Sequence, residues 1–214
     1  MRASRALSPS SAPVLRPKYV LFALIAVMTG YVLVHNERFL VEPGHALWQH
    51  FAPVRWWLYP HAVAGTLAMI AAPLQFSERL RRRYVRLHRV SGRVYVAAIF
   101  VVAPLGAYVQ YLQEATDSLP RSFTILAVTN GVLLLVPTVI AFVYALRRRI
   151  TQHRQWMVRS FAVALVFFEG RFILGVTGWE MNPALVEPVI WACLALSLLA
   201  ADLLNQLQEG SAVR

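Results

Sequence analysis

The stretch FTILAVTNGVLLLVPTVIAFVYALRRR, residues 123–149, decides the fold. From Phe123 to Leu146 it carries no charged side chain, and three arginines follow at once. A helix of about 20 apolar residues crosses the hydrocarbon core of a bilayer, and cations at its end sit among the headgroups. Working outward, similar apolar stretches occupy 19–34, 58–76, 90–111, 157–177 and 188–204. Period-two alternation is absent and Val, Leu, Ala and Ile dominate, so helices are expected rather than barrel strands. The expected fold is an all-α integral membrane bundle of six transmembrane helices, between tails at 1–18 and 205–214.

The composition agrees, with 58% hydrophobic and only 14% charged residues. Such a balance excludes an ordinary soluble domain. The net charge of +11 argues against nucleic acid as the partner, because the basic residues lie in clusters between apolar spans rather than on a separable domain. Cys193 is the one cysteine, so the chain forms no internal disulfide and no thiol cluster.

Lys and Arg near span ends favour the cytoplasm. With both termini inside, every Lys and Arg except Arg38, Arg55, Arg121 and Arg171 falls on the inner side. Glu37, Glu42, Glu114, Asp117, Glu169, Glu180 and Glu187 fall toward the other. The expectation is a multi-pass protein of the inner cell membrane, with anionic lipid headgroups as partners at its cytoplasmic face. The first apolar run ends in His35-Asn36-Glu37-Arg38 without a small-x-small cleavage site, which reads as a retained span. Trp48, Phe51, Trp56, Trp57 and Tyr59 suit an aromatic belt at the outer headgroups, and His45 and His50 belong to that segment.

The two inner loops echo each other. Leu80-Arg81-Arg82-Arg83, His88-Arg89 and Arg93 recur as Leu146-Arg147-Arg148-Arg149, His153-Arg154 and Arg159. Each copy joins a helical hairpin, as a duplication would produce.

Polar groups inside apolar spans are costly and are read first as functional. Helical spacing places His153, Met157, Ser160, Ala164, Phe167 and Arg171 on one face, and His61, Gly65, Ala68, Ala72 and Gln75 on another. His88, Gly92, Tyr95, Val102, Gly106 and Gln110 form a third. Glu169 and Arg171, two residues apart, do not face each other. By depth, an outer group contains His61, Asn130, Glu169 and Arg171. An inner group contains Gln75, His88, Arg93, His153 and Arg159.

The outer group fits either a satisfied polar network or a small pocket for a quinone-like headgroup. The inner group also has two readings. His88 and His153 suit axial ligation of one b-type haem iron, with Arg93 and Arg159 on its propionates. The same His-Arg pairs suit hydrogen bonds to helix ends and lipid headgroups without a cofactor. Pro73, Pro104 and Pro137 interrupt three consecutive spans and are tolerated there as kinks.

His61 with Pro73-Leu74-Gln75-Phe76, Leu87-His88-Arg89-Val90-Ser91-Gly92-Arg93-Val94-Tyr95, His153-Arg154-Gln155-Trp156-Met157-Val158-Arg159-Ser160 and Arg171 together resemble the bacterial membrane-protein family catalogued as domain of unknown function 2306. The resemblance implies a multi-helix inner-membrane protein and carries no activity with it. Three functions are consistent with the residues. They are a redox component binding haem b or a quinone, a small-molecule or proton-coupled transporter using the outer group, and a non-catalytic factor binding lipid or a partner.

Overall fold

A computed structural model describes residues 17–42, 44–116 and 119–212. The basic tail up to residue 16, Asp117 and Arg214 therefore lie outside the described residues. The helices are α1 (Pro17–His35), α2 (Ala46–His50), α3 (Arg55–Gln75), α4 (Glu78–Arg83), α5 (Val85–Ala115), α6 (Arg121–Leu146), α7 (Ile150–Thr177) and α8 (Pro183–Ala212). No strand occurs among the described residues.

Four helices are long and apolar enough to cross a membrane: α5, α6, α7 and residues Pro183–Glu209 of α8. The apolar part of α1, Tyr19–His35, is shorter. In α3 the first two turns hold Arg55, Trp56, Trp57, Tyr59, Pro60 and His61, which lowers its mean hydropathy. Several helices outrun the apolar stretches read from sequence. α5 begins at Val85 and α7 at Ile150, because arginine is a good helix former and the extra turns carry charge beyond the apolar core. Pro73, Pro104 and Pro137 all lie within continuous helices.

Short joints force antiparallel neighbours. Residues 147–149 alone connect α6 to α7, and Arg148 turns the chain with a left-handed φ of 57°. Such a conformation costs a non-glycine residue about 1–2 kcal/mol. α3 and α5 form the other hairpin, with α4 in its bend and Ser77 capping α4 by accepting the Leu80 N–H at 3.3 Å. Helix α5 packs on α6, α7 on α8, and α1 lies against α7.

The core collects small and β-branched side chains. Ala64, Ala68 and Ala72 give α3 a thin face, while Tyr95, Ile99, Leu126, Val163 and Val166 fill the centre. Small residues let helix backbones approach closely where lipid supplies no hydrophobic drive. Val63, Ile70, Phe100, Val132 and Leu196 are more than half exposed. Apolar side chains pointing outward along the helices are a surface made for lipid.

The bundle has two distinct ends. One carries the arginines of α4 and of the α6–α7 turn. The other carries α2 and its aromatic neighbours, where Arg55 stacks on Trp48 at 4.7 Å and on Trp56 at 5.5 Å. Tyr59 donates its hydroxyl to the Leu40 carbonyl, which fastens this aromatic end to α3.

Candidate functional site: a polar cavity at the aromatic end

A cavity of about 110 Å³ opens among α1, α3, α5, α6 and α7. Its polar lining consists of Glu37, His61, Thr66, Gln110, Asn130 and Arg171, and Phe167 and Phe168 form part of its apolar wall. Five elements therefore meet around one space.

His61 is fixed by its neighbour. Its Nδ1 lies 3.0 Å from the Val102 carbonyl, which can only accept, so Nδ1 carries the proton in this contact and Nε2 is left as an acceptor. Gly106 makes room for the ring. A Cβ there would stand 2.9 Å from His61 Cε1, closer than two carbons pack. Arg171 donates to the Glu37 carboxylate, joining α7 to the chain just beyond α1. Glu37 is the better buried of the two, with 15% of its side chain exposed against 40% for Arg171.

The amides are different. Gln110 Oε1 and Asn130 Oδ1 are buried and have no hydrogen-bond partner among the described residues. Leaving a buried acceptor unpaired costs about 1–3 kcal/mol. Both side chains line the cavity, so a donor within it would relieve that cost. The cavity exceeds the roughly 10–15 Å³ that one water requires, and falls short of the roughly 300 Å³ or more of a drug-sized pocket. It suits water or one small polar head.

Of the expected outer group, His61, Asn130 and Arg171 meet at this cavity, and Glu169 does not. Ser197 of α8 donates to Glu169 Oε2 at 2.6 Å, in the seam between α7 and α8. Two residues along a helix turn a side chain by about 200°, which sends Glu169 away from the face of Arg171.

The expected inner group is brought together only in part. His88 lies within electrostatic reach of His153, Arg81 and Arg89, and its Nδ1 is buried without a partner among the described residues. His153 donates from Nδ1 to the Ala141 carbonyl at 2.8 Å. Gln75 donates to the His88 carbonyl at 3.1 Å and to Ser91 Oγ at 2.6 Å. The arginines go elsewhere. Arg93 is exposed, while Arg159 donates from Nε to Asp202 of α8 at 2.7 Å and lies over the Trp156 ring. Among the described residues no three His, Cys, Asp or Glu side chains gather to hold a metal ion.

A third polar cluster lies outside both groups expected from sequence. Tyr95 of α5 and Thr138 of α6 each lie 2.7 Å from Ser160 of α7, and Thr138 donates onward to the Leu134 carbonyl at 2.7 Å. All three residues are fully buried. The signal was their place: Tyr95 and Ser160 each follow an inner histidine by two helical turns, on the same faces.

Comparison with known proteins gives one family. A model described as predicted membrane protein (DUF2306) matches residues 58–205. No curated protein and no solved structure matches the chain.

Proposed function

We propose, for a chain that belongs to this family of predicted membrane proteins, a six-span bundle of the inner cell membrane that binds the head of a quinol-type molecule at its aromatic end. The N- and C-termini and both arginine loops lie in the cytoplasm, so the cavity opens in the outer half. The packing of α1 against α7 and of α3 against α5 supports counting both as spans. The bias of Lys and Arg to one end supports the orientation.

The observation that carries the binding reading is the pair of buried, unpartnered amide oxygens, Gln110 Oε1 and Asn130 Oδ1, facing one cavity. A quinol presents hydroxyl donors at opposite corners of a small ring, which answers two acceptors. Its oxygens can also accept from Arg171, and His61 Nε2 competes with the amides for one of its two protons. Phe167 and Phe168 supply apolar and aromatic wall for the ring. A purely aliphatic ligand would leave the amides unsatisfied.

A short-chain quinol analogue titrated into the purified protein, followed by tryptophan fluorescence, tests this. Saturable binding is expected, with Gln110→Leu and Asn130→Leu each weakening it about tenfold through one lost hydrogen bond. Equal affinity in the wild type and the double variant would sink the reading. The haem arrangement retains the two histidines but not their arginines. An absorbance spectrum separates it from this one, since a Soret band lost in His88→Ala would place a cofactor at the arginine end.

A further inference from the structure

Helix α6 begins at Arg121 and carries Thr124, Ile125 and Val128 three, four and seven residues on, so the four side chains share one face. That face meets the last turns of α5. With Tyr111 and Glu114 of α5 it lines a groove of about 300 Å³ at the aromatic end. Ile125 and Val128 are 54% and 46% exposed, so the groove runs from the charged helix ends down a side that faces lipid.

The charges at this end are of two kinds. Arg38 pairs with Glu42, Arg171 with Glu37 and His35 with Glu180. Glu187 accepts from Ser122 and Trp191, and Arg55 lies on two indole rings. Glu114 and Arg121, of opposite charge and lining the same groove, have neither each other nor any other partner among the described residues. Thr124 Oγ1, in the same wall, is buried and also lacks a partner among the described residues. A lone surface charge carries little energy. Two of opposite sign on one groove, above an apolar side facing lipid, match a molecule with both charges in its head and hydrocarbon beneath.

We infer that this groove binds one phospholipid whose zwitterionic head ends in a primary ammonium. Arg121 donates paired N–H groups to its phosphate, Thr124 adds a hydroxyl donor, and Glu114 accepts from the ammonium. The acyl chains run along Ile125 and Val128. An anionic lipid brings Glu114 no cation. A quaternary ammonium has no N–H for the carboxylate, and one tyrosine makes no aromatic cage for it. The groove shares no residue with the quinol cavity, so either can fail alone.

The test places the full chain in nanodiscs of equal parts phosphatidylethanolamine, phosphatidylcholine and phosphatidylglycerol, and counts the lipids it retains by native mass spectrometry. One retained lipid is expected, with the ethanolamine lipid above the other two. In R121Q retention of all three should fall about tenfold through lost bonds to a charged group. In E114Q the ethanolamine lipid should fall to the level of the choline lipid. R38Q removes a cation from the same end and should match the wild type. Retention is read per folded molecule, so a lower yield leaves it unchanged. Should R121Q fail to fold, T124V keeps the shape, lacks the buried hydroxyl and should weaken retention several-fold. No retained phospholipid or no ethanolamine preference in the wild type overturns the inference. So does an unchanged preference in E114Q, equal retention in R121Q and R38Q, or full retention by T124V in that case.

Discussion

Two polar clusters share the helices α5, α6 and α7, about 12 Å apart by the rise from Asn130 to Thr138, and they are built on opposite terms. In the Tyr95–Ser160–Thr138 triad every hydroxyl has a partner and the chain of bonds ends on the Leu134 carbonyl. Around the cavity, the amide oxygens of Gln110 and Asn130 have none among the described residues. Closed networks hold helices together. Open ones wait for a ligand and lower stability until it comes. The difference separates what folds this bundle from what it binds.

The largest effect should come from breaking the closed cluster. Tyr95 is wholly buried, and Tyr95→Ala removes both its ring and its bond to Ser160. Deleting a buried aromatic ring costs about 3–5 kcal/mol. Thermal unfolding in detergent should show that loss, while the folded fraction still binds the quinol analogue. A loss under about 1 kcal/mol would mean that the triad does not hold the three helices.

The open cluster should respond in the reverse way. In Gly106→Val the new side chain strikes His61, whose ring must leave the Val102 carbonyl. Binding should fall about tenfold or more from the lost bond and the lost space. Helix propensity gained in replacing glycine by valine, about 0.4 kcal/mol, offsets only a small part of the strain. A variant that kept full affinity would show that the His61 position is immaterial to the cavity.

Asn130→Leu sharpens the contrast by sign. Replacing an unpaired buried amide with an apolar side chain removes its desolvation cost, so Tm should hold or rise as affinity falls. Ser160→Val in the closed cluster should lower Tm and spare affinity. Two substitutions of polar by apolar residues then move stability in opposite directions. If both lowered Tm alike, water already satisfies Asn130 and the cavity is as closed as the triad.

How much of this was legible follows from what a single helix encodes. Apolar length and arginine placement identify a helical membrane bundle, because each is a property of one segment. Depth and face are also local, and they brought His61, Asn130 and Arg171 to the same cavity. Gln110 stands on the right face but sits outside the outer group, and Glu37 reads only as an outer acid. Both belong to the cavity through neighbours that sequence spacing does not specify. Arg93 and Arg159 sit near the histidines in sequence, yet the rotation of α5 exposes one, and α8 supplies Asp202 to the other. Thr138 carries no mark in a span where threonine is ordinary. Contacts between helices depend on their mutual rotation, which the spacing within either helix leaves open.

Glu169 gives the smallest expected effect and the most direct check on that rotation. Its carboxylate accepts from Ser197 across the α7–α8 seam, outside the cavity that Arg171 lines. In Glu169→Gln the amide oxygen can accept the same hydroxyl, so stability should change by no more than about 0.5 kcal/mol. Interhelical bonds of this kind within membranes average about 0.6 kcal/mol, so even Ser197→Ala should shift Tm only slightly. Quinol affinity should be untouched in both. A large affinity loss in Glu169→Gln with Tm unchanged would mean that the carboxylate reaches the ligand. It would then belong with Arg171 on one face, against the 200° that two helical residues impose.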